Sequence, residues 1–264
     1  MKYKPATRII TLLLTASLLA GQSGISPAAE LSCSAHSGNT TVPLLELYTS
    51  EGCSSCPPAD EWLSSFRQSG LVPDRVVPLA LHVDYWNDFG WEDSYSQKTF
   101  TDRQYRLADL NRMRSVFTPQ FVLNGRNLSR WHSNADVEIK RINATAPQAR
   151  ISLALSRHAR KIGITADAEA NNQAAQTDLY LAIYENNLSH NIGAGENRDL
   201  TLHHDYVARQ LIGPMPLKDT GKFHFVRDIS LDKSWKSSDM GVVAFVQNRN
   251  NGEVLQALSL PLCR

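Results

Sequence analysis

The stretch Thr49 to Asp60, TSEGCSSCPPAD, constrains the fold most, because a buried strand runs into it and a helix starts directly behind it. Residues 42–49 (VPLLELYT) are apolar enough to be a strand covered on both faces. Pro57 and Pro58 suit a first helical turn, whose amide donors have no partner within the helix. Asp60 and Glu61 favour the positive end of the helix dipole, and Trp62, Leu63 and Phe66 supply an apolar face. Residues 76–84 (VVPLALHVD) read as a second buried strand. An aromatic loop at 85–94 leads to a long charged helix over 95–114. VFTPQFVLNG then gives a short strand ending in an Asn-Gly turn, and 134–146 reads as another helix.

From about Pro147 the pattern changes to short strands separated by polar turns: 151–156, 161–168, 177–185, 222–231, 241–248 and 253–260. That spacing predicts an antiparallel sandwich. The interruption at 190–217 reads as a long loop holding a short helix around Asp205 to Leu211. Two packed domains are expected, 30–148 and 149–264, behind a leader at 1–29.

The leader has a basic start (MKYKPATR), an apolar run at 9–20 and a small-residue stretch ending SPAAE, the pattern of a secretory signal peptide cleaved after Ala28 or Ala29. The apolar run is shorter than the roughly 20 residues a membrane-spanning helix needs. An exported protein is expected, periplasmic or secreted, with no membrane span after cleavage. The full chain carries a net charge of +1, and removing Lys2, Lys4 and Arg8 with the leader leaves −2. Nothing in that balance attracts nucleic acid, so partners are proteins or small molecules.

Four cysteines follow the leader: Cys33, Cys53, Cys56 and Cys263. Four allow three pairings. Cys53 and Cys56 are local to one another, which leaves Cys33 and Cys263 either joined, tying the chain ends together, or as two unpaired thiols. A sulfur at a helix N-terminus gains thiolate character from the dipole and free amides, which makes Cys53 the expected nucleophile and Cys56 the resolving thiol. Glu51, Asp60 and Glu61 oppose the thiolate if they lie close. Zinc of the structural kind needs four ligands, and the chain has no second CxxC or finger-spaced histidines. Two thiolates would suit Cu(I), but no Met lies within 20 residues of the pair on either side, and the one His in that range, His36, is 17 positions before Cys53.

Beyond these residue types, ELYTSEGCSSCPPAD, LALHVDYWNDFGWED and FTPQFVLNG resemble the secreted thioredoxin-like family known as domain of unknown function 1223, and GENRDLTLHHDYVARQL and VVAFVQNRNNGEVLQA resemble its C-terminal half. The resemblance is to bacterial proteins. It implies an α/β thioredoxin-like N-terminal domain plus a C-terminal antiparallel β-sandwich-like domain. It further implies Cys53 and Cys56 as a redox pair, Pro119 as a cis proline preceded by Thr118, and Glu46 as a buried proton acceptor. Glu46 lies one position further from the first cysteine than that family pattern places it. The expected activity is thiol-disulfide exchange with a thiol- or disulfide-containing protein substrate and a separate redox partner, without organic cofactor or metal. The competing expectation is a binding module on the same scaffold, a copper carrier or a partner-docking protein.

Other residues invite a chemical role. His82 and Asp84, at a strand end, would be placed to act on Cys53, or His82 simply keeps a hydrogen-bond partner there. Tyr85, Trp86, Phe89 and Trp91 form either a lip for an unfolded chain or the loop's own small core. His203 and His204 with Asp205 suggest a metal by composition, yet neighbouring strand residues point to opposite faces.

Overall fold

The computed structural model describes Met1 and residues 31–68, 74–158, 160–170, 176–217 and 220–263. Residues 2–29, read as the body of a signal peptide, lie outside the described residues. In chain order the elements begin with β1 (Leu31–His36), β2 (Leu44–Thr49), α1 (Pro57–Gln68), β3 (Val77–His82) and α2 (Lys98–Leu110). They continue through β4 (Gln120–Leu123), β5 (Arg126–Asn127), α3 (Trp131–Asn143), β6 (Ala149–His158), β7 (Lys161–Ala170) and β8 (Thr177–Glu185). The last are β9 (Leu188–Asn191), β10 (Thr201–His204), β11 (Val207–Pro216), β12 (Lys222–Ser230), β13 (Met240–Asn248) and β14 (Val254–Pro261).

Eight of these strands make one mixed sheet in the order β14-β13-β8-β11-β3-β2-β4-β5. Strands β2 and β3 run parallel, β11 joins β3 in parallel, and the other pairs are antiparallel. Strands β8 and β13 are buried at every position, because each is covered on both faces. One face of these strands, with Tyr180, Ala182, Tyr184, Val243 and Phe245, joins the core built on β2, β3 and the helices. The opposite face, with Leu179, Leu181, Ile183, Val242 and Val246, packs against β6 and β7 of a second, antiparallel sheet ordered β1-β6-β7-β12. Strand β6 shows the alternation expected of a sheet with one covered face.

This arrangement corrects the expected architecture. The chain is not an α/β thioredoxin-like domain followed by a separate antiparallel sandwich. It is mostly β, with three α-helices among the described residues, and its large sheet takes strands from both sides of residue 148. The reason lies in β11. Residues 205–211, expected as a short helix, turn at Asp205 and Tyr206 (φ 57°) and enter the sheet between β3 and β8. The Ala80 amide donates to the Tyr206 carbonyl at 2.9 Å, so the edge that β3 would otherwise expose is paired.

Local signals placed several elements well. The Asn124-Gly125 turn closes the β4-β5 hairpin with φ of 52° and 81°, as a two-residue primed turn requires. A Cβ at position 125 would lie 1.8 Å from the Gly252 carbonyl oxygen, so the β13-β14 turn seats directly on this hairpin. In α3, Ala135, Ile139 and Ile142 face inward, whereas Val137 is exposed.

Candidate functional site

Strand β2 ends at Thr49, and the chain passes through Ser50, Glu51 and Gly52 to Cys53, with Cys56 capping α1. The Cys56 carbonyl accepts from the amides of Ala59 and Asp60 at 2.9 and 3.1 Å. Pro57 and Pro58 have no amide hydrogen to give. The helix therefore offers the cysteines its dipole but not the free amides expected from the sequence. Cys53 and Cys56 are joined as a disulfide, with Cα atoms 5.5 Å apart. Cys53 is 1% exposed and Cys56 0%, and the Cys53 sulfur lies 3.4 Å from the Ser55 hydroxyl.

A segment far along the chain bonds the backbone of the cysteine loop. Strands β9 and β10 form a separate two-stranded hairpin, and its connecting loop covers the cysteine loop. The Asn197 side-chain amide donates to the carbonyls of Glu51 (2.8 Å) and Cys53 (3.0 Å). The Ser54 amide donates to the Glu196 carboxylate at 3.1 Å, and the Ser54 side chain and amide together hold that carboxyl below its usual range.

Behind the disulfide lies a buried network of acids and imidazoles. The fully buried Glu51 carboxylate accepts from Trp91 Nε1 at 3.0 Å and lies 3.0 Å from His190 Nδ1 and 3.3 Å from His204 Nε2. The other ring nitrogen of His204 lies 3.8 Å from Asp60, whose second oxygen accepts from the Thr49 hydroxyl at 3.0 Å. Neither His204 nitrogen meets a partner in strict hydrogen-bond geometry. Burial disfavours its imidazolium, but Asp60 and Glu51 outweigh that and raise its pKa to about 10. His82 Nδ1 lies 2.6 Å from Asp93, whose carboxylate also accepts the Glu51 and Tyr95 amides at 2.9 Å each. Burial opposes ionisation of Asp93, yet the His82 charge and these bonds keep its carboxyl below the usual range. A carboxylate oxygen of Asp60 and one ring nitrogen each of His82 and His204 lie within 4.8 Å of one another, the donor types that would hold a metal ion.

The structure distributes the sequence-expected residues unevenly. Thr118-Pro119 is a cis peptide, and Trp86 links it to the cysteine loop. Trp86 Nε1 donates to the Thr118 hydroxyl at 2.7 Å, while Trp86 Cβ would lie 3.4 Å from a Cβ on Gly52. Glu46 is not brought to the cysteines. Thr49 faces α1 through Asp60, whereas Glu46 alternates to the other face, where Arg103 of α2 holds it at 2.6 and 3.1 Å and Tyr48 donates to it at 3.0 Å. Asp84 is tied to Thr101 of α2. Trp91 packs under Gly193 and Gly195 of the hairpin loop, while Phe89 is 63% exposed. His203 is exposed and His204 buried, as strand alternation dictates.

The family profile of proteins of unknown function, DUF1223, matches residues 44–247. The chain belongs to that family. The match takes in every member of the DUF1223 network, from Glu51 to His204, but neither Cys33 nor Cys263. None of the comparisons extends this membership to a thioredoxin-like superfamily. No curated protein matches the sequence. A crystal structure of an Agrobacterium tumefaciens protein, a structural genomics target, is similar over 85% of this chain and 96% of that one, with 24% identity and a TM-score of 0.60. The structure of HBP35 of Porphyromonas gingivalis is similar over 86% of this chain and 76% of that one, with 17% identity and a TM-score of 0.63. Both likenesses concern the fold.

Sequence reasoning gave Glu51 only an opposing role and missed Asp93, His190 and Asn197. One signal was present: three of the eight histidines fall between positions 190 and 204, beside Glu196 and Asn197.

Proposed function

We propose that this DUF1223 protein is an exported thiol-disulfide oxidoreductase working through Cys53 and Cys56. The observation that carries this reading is the Cys53–Cys56 disulfide at the start of α1. In the reducing direction the Cys53 thiolate attacks one sulfur of a substrate disulfide. A mixed disulfide forms and one substrate sulfur leaves as thiolate. The Cys56 thiolate then attacks Cys53, the second substrate thiolate departs, and two electrons have passed to the substrate. The reverse sequence oxidises a dithiol. Ser54 and Ser55 occupy the two central positions, with the Ser55 hydroxyl beside the Cys53 sulfur. They bear on which direction is favoured.

Both sulfurs are covered, so exchange requires the β9-β10 hairpin to lift. Substrates are thiol- or disulfide-containing proteins, and a second redox protein resets the pair. A periplasmic or secreted setting fits the two disulfides of the chain, since such bonds persist in oxidising compartments. Among the described residues no helix is long and apolar enough to cross a membrane.

The test is a Cys56→Ala variant expressed in the export compartment. Cys53-dependent mixed disulfides on a non-reducing gel are expected, and they disappear in Cys53→Ala/Cys56→Ala. No adducts, together with an inert pair in a thiol-exchange assay, would leave only the binding-module alternative.

A further inference from the structure

We propose that Asp60, His82 and His204 form a three-ligand binding site for a divalent transition-metal ion of the zinc type directly behind the cysteine pair. The three residues come from α1, the end of β3 and the end of β10, and they are 6%, 0% and 3% exposed. Their donor atoms lie within 4.8 Å of one another.

The second observation is the state of the imidazoles. His82 Nδ1 lies 2.6 Å from the Asp93 carboxylate, which fixes the proton on that nitrogen. The nitrogen left to meet an ion is Nε2, a buried atom with no hydrogen-bond partner. A metal-binding histidine typically has this arrangement, its far nitrogen donating to a carboxylate while the near one faces the ion. Both His204 nitrogens are likewise buried without an aligned partner. An ion would take one nitrogen of each ring and supply positive charge beside the buried Asp60 carboxylate.

The donor chemistry narrows the ion. Two imidazoles with a carboxylate suit zinc, whereas calcium and magnesium prefer oxygen alone and Cu(I) prefers sulfur. Zinc bonds of about 2.0–2.2 Å place tetrahedral ligands roughly 3.3–3.6 Å apart, so the cluster must contract on binding. His204 stands on β10, and Asn197 on the loop of the same hairpin holds the Cys53 carbonyl. Contraction would therefore draw the cover down on the disulfide. This site goes beyond thiol exchange, which needs no ion.

The test uses the full exported chain with Cys53 and Cys56 kept oxidised, so that no thiol competes for the ion. Metal-stripped protein is titrated with Zn²⁺ by calorimetry and with Co²⁺ by visible absorption. One equivalent is expected to bind, and His82→Gln and His204→Gln each weaken it by more than about 100-fold. Asp93→Asn, which removes only an outer hydrogen-bond partner, weakens it by about 10- to 100-fold. His203→Gln, at an exposed neighbour, binds as the unaltered protein does. Absence of stoichiometric binding by the folded, unaltered protein overturns the proposal, whatever the stability of the variants. Unchanged affinity in both His82→Gln and His204→Gln also overturns it. The mixed-disulfide trap is independent of this result.

Discussion

Glu46 shows how a residue can be noticed in a sequence and still be assigned to the wrong neighbours. An acid within a buried strand draws attention because such a charge must be compensated. Which face it takes, and which cation meets it, depend on α2, whose Arg103 is itself buried. Arg103 also donates to Gln247 of β13 at 3.1 Å and lies over the rings of Tyr180 and Phe245 at 5.0 and 4.8 Å. The pair therefore fastens α2 to both halves of the large sheet. Removing one partner leaves a buried charge alone, so Glu46→Met or Arg103→Met is expected to cost about 3–5 kcal/mol. The double Met variant should lose less than either single one, because no charge remains stranded. Urea unfolding of the three variants measures this, and additive losses would contradict it. Glu51 is the opposite case. Its proximity to Cys53 is plain in the sequence, but its compensation by Trp91, His190 and His204 arrives from segments about 40, 139 and 153 positions away and leaves no local trace.

The element that matters most for access is the β9-β10 hairpin. Segment 190–217 has no long apolar run and two turns with non-glycine positive φ, at Asp199 and Tyr206, so local pattern favours a loop. Its strands exist because Ile192 and Leu202 are buried beneath it and because Asn197 and Glu196 bond the cysteine loop. By contrast α1 was legible: its prolines, acids and apolar face all lie within its own twelve residues. If the hairpin gates the disulfide, Asn197→Ala removes two buried bonds to backbone carbonyls, each worth about 1 kcal/mol net. Reduction of Cys53–Cys56 by dithiothreitol should then quicken about tenfold or more, since local opening precedes attack. Timed alkylation of the freed thiols reads the rate. An unchanged rate would mean that the hairpin opens without breaking these bonds.

At the scale of the molecule, the two halves share a sheet and a core. Val207, Tyr180, Phe245 and Ala257 pack in the same cluster as Leu47, Leu81 and Phe121. The Cys33–Cys263 disulfide, with Cα atoms 5.6 Å apart, joins β1 at the edge of one sheet to the segment after β14 at the edge of the other. A fragment limited to residues 30–148 would expose the β3 edge and strip Tyr180, Val207, Phe245 and Ala257 from that cluster. It is expected to lack cooperative unfolding and to be cut rapidly by protease, measured beside the full chain. A stable, cooperatively folding fragment would show that the shared sheet is dispensable. The sequence by itself determined the local elements whose causes are local: the proline-started helix, the Asn-Gly hairpin, the strands at 177–185 and 241–248, and the proximity of Cys53 to Cys56. Only the tertiary structure decided where β11 inserts, which face Glu46 takes, and that His82 and His204 meet Asp60 behind the disulfide. Those outcomes depend on pairing and burial between residues far apart in the chain, and neither periodicity nor propensity within one segment encodes such contacts.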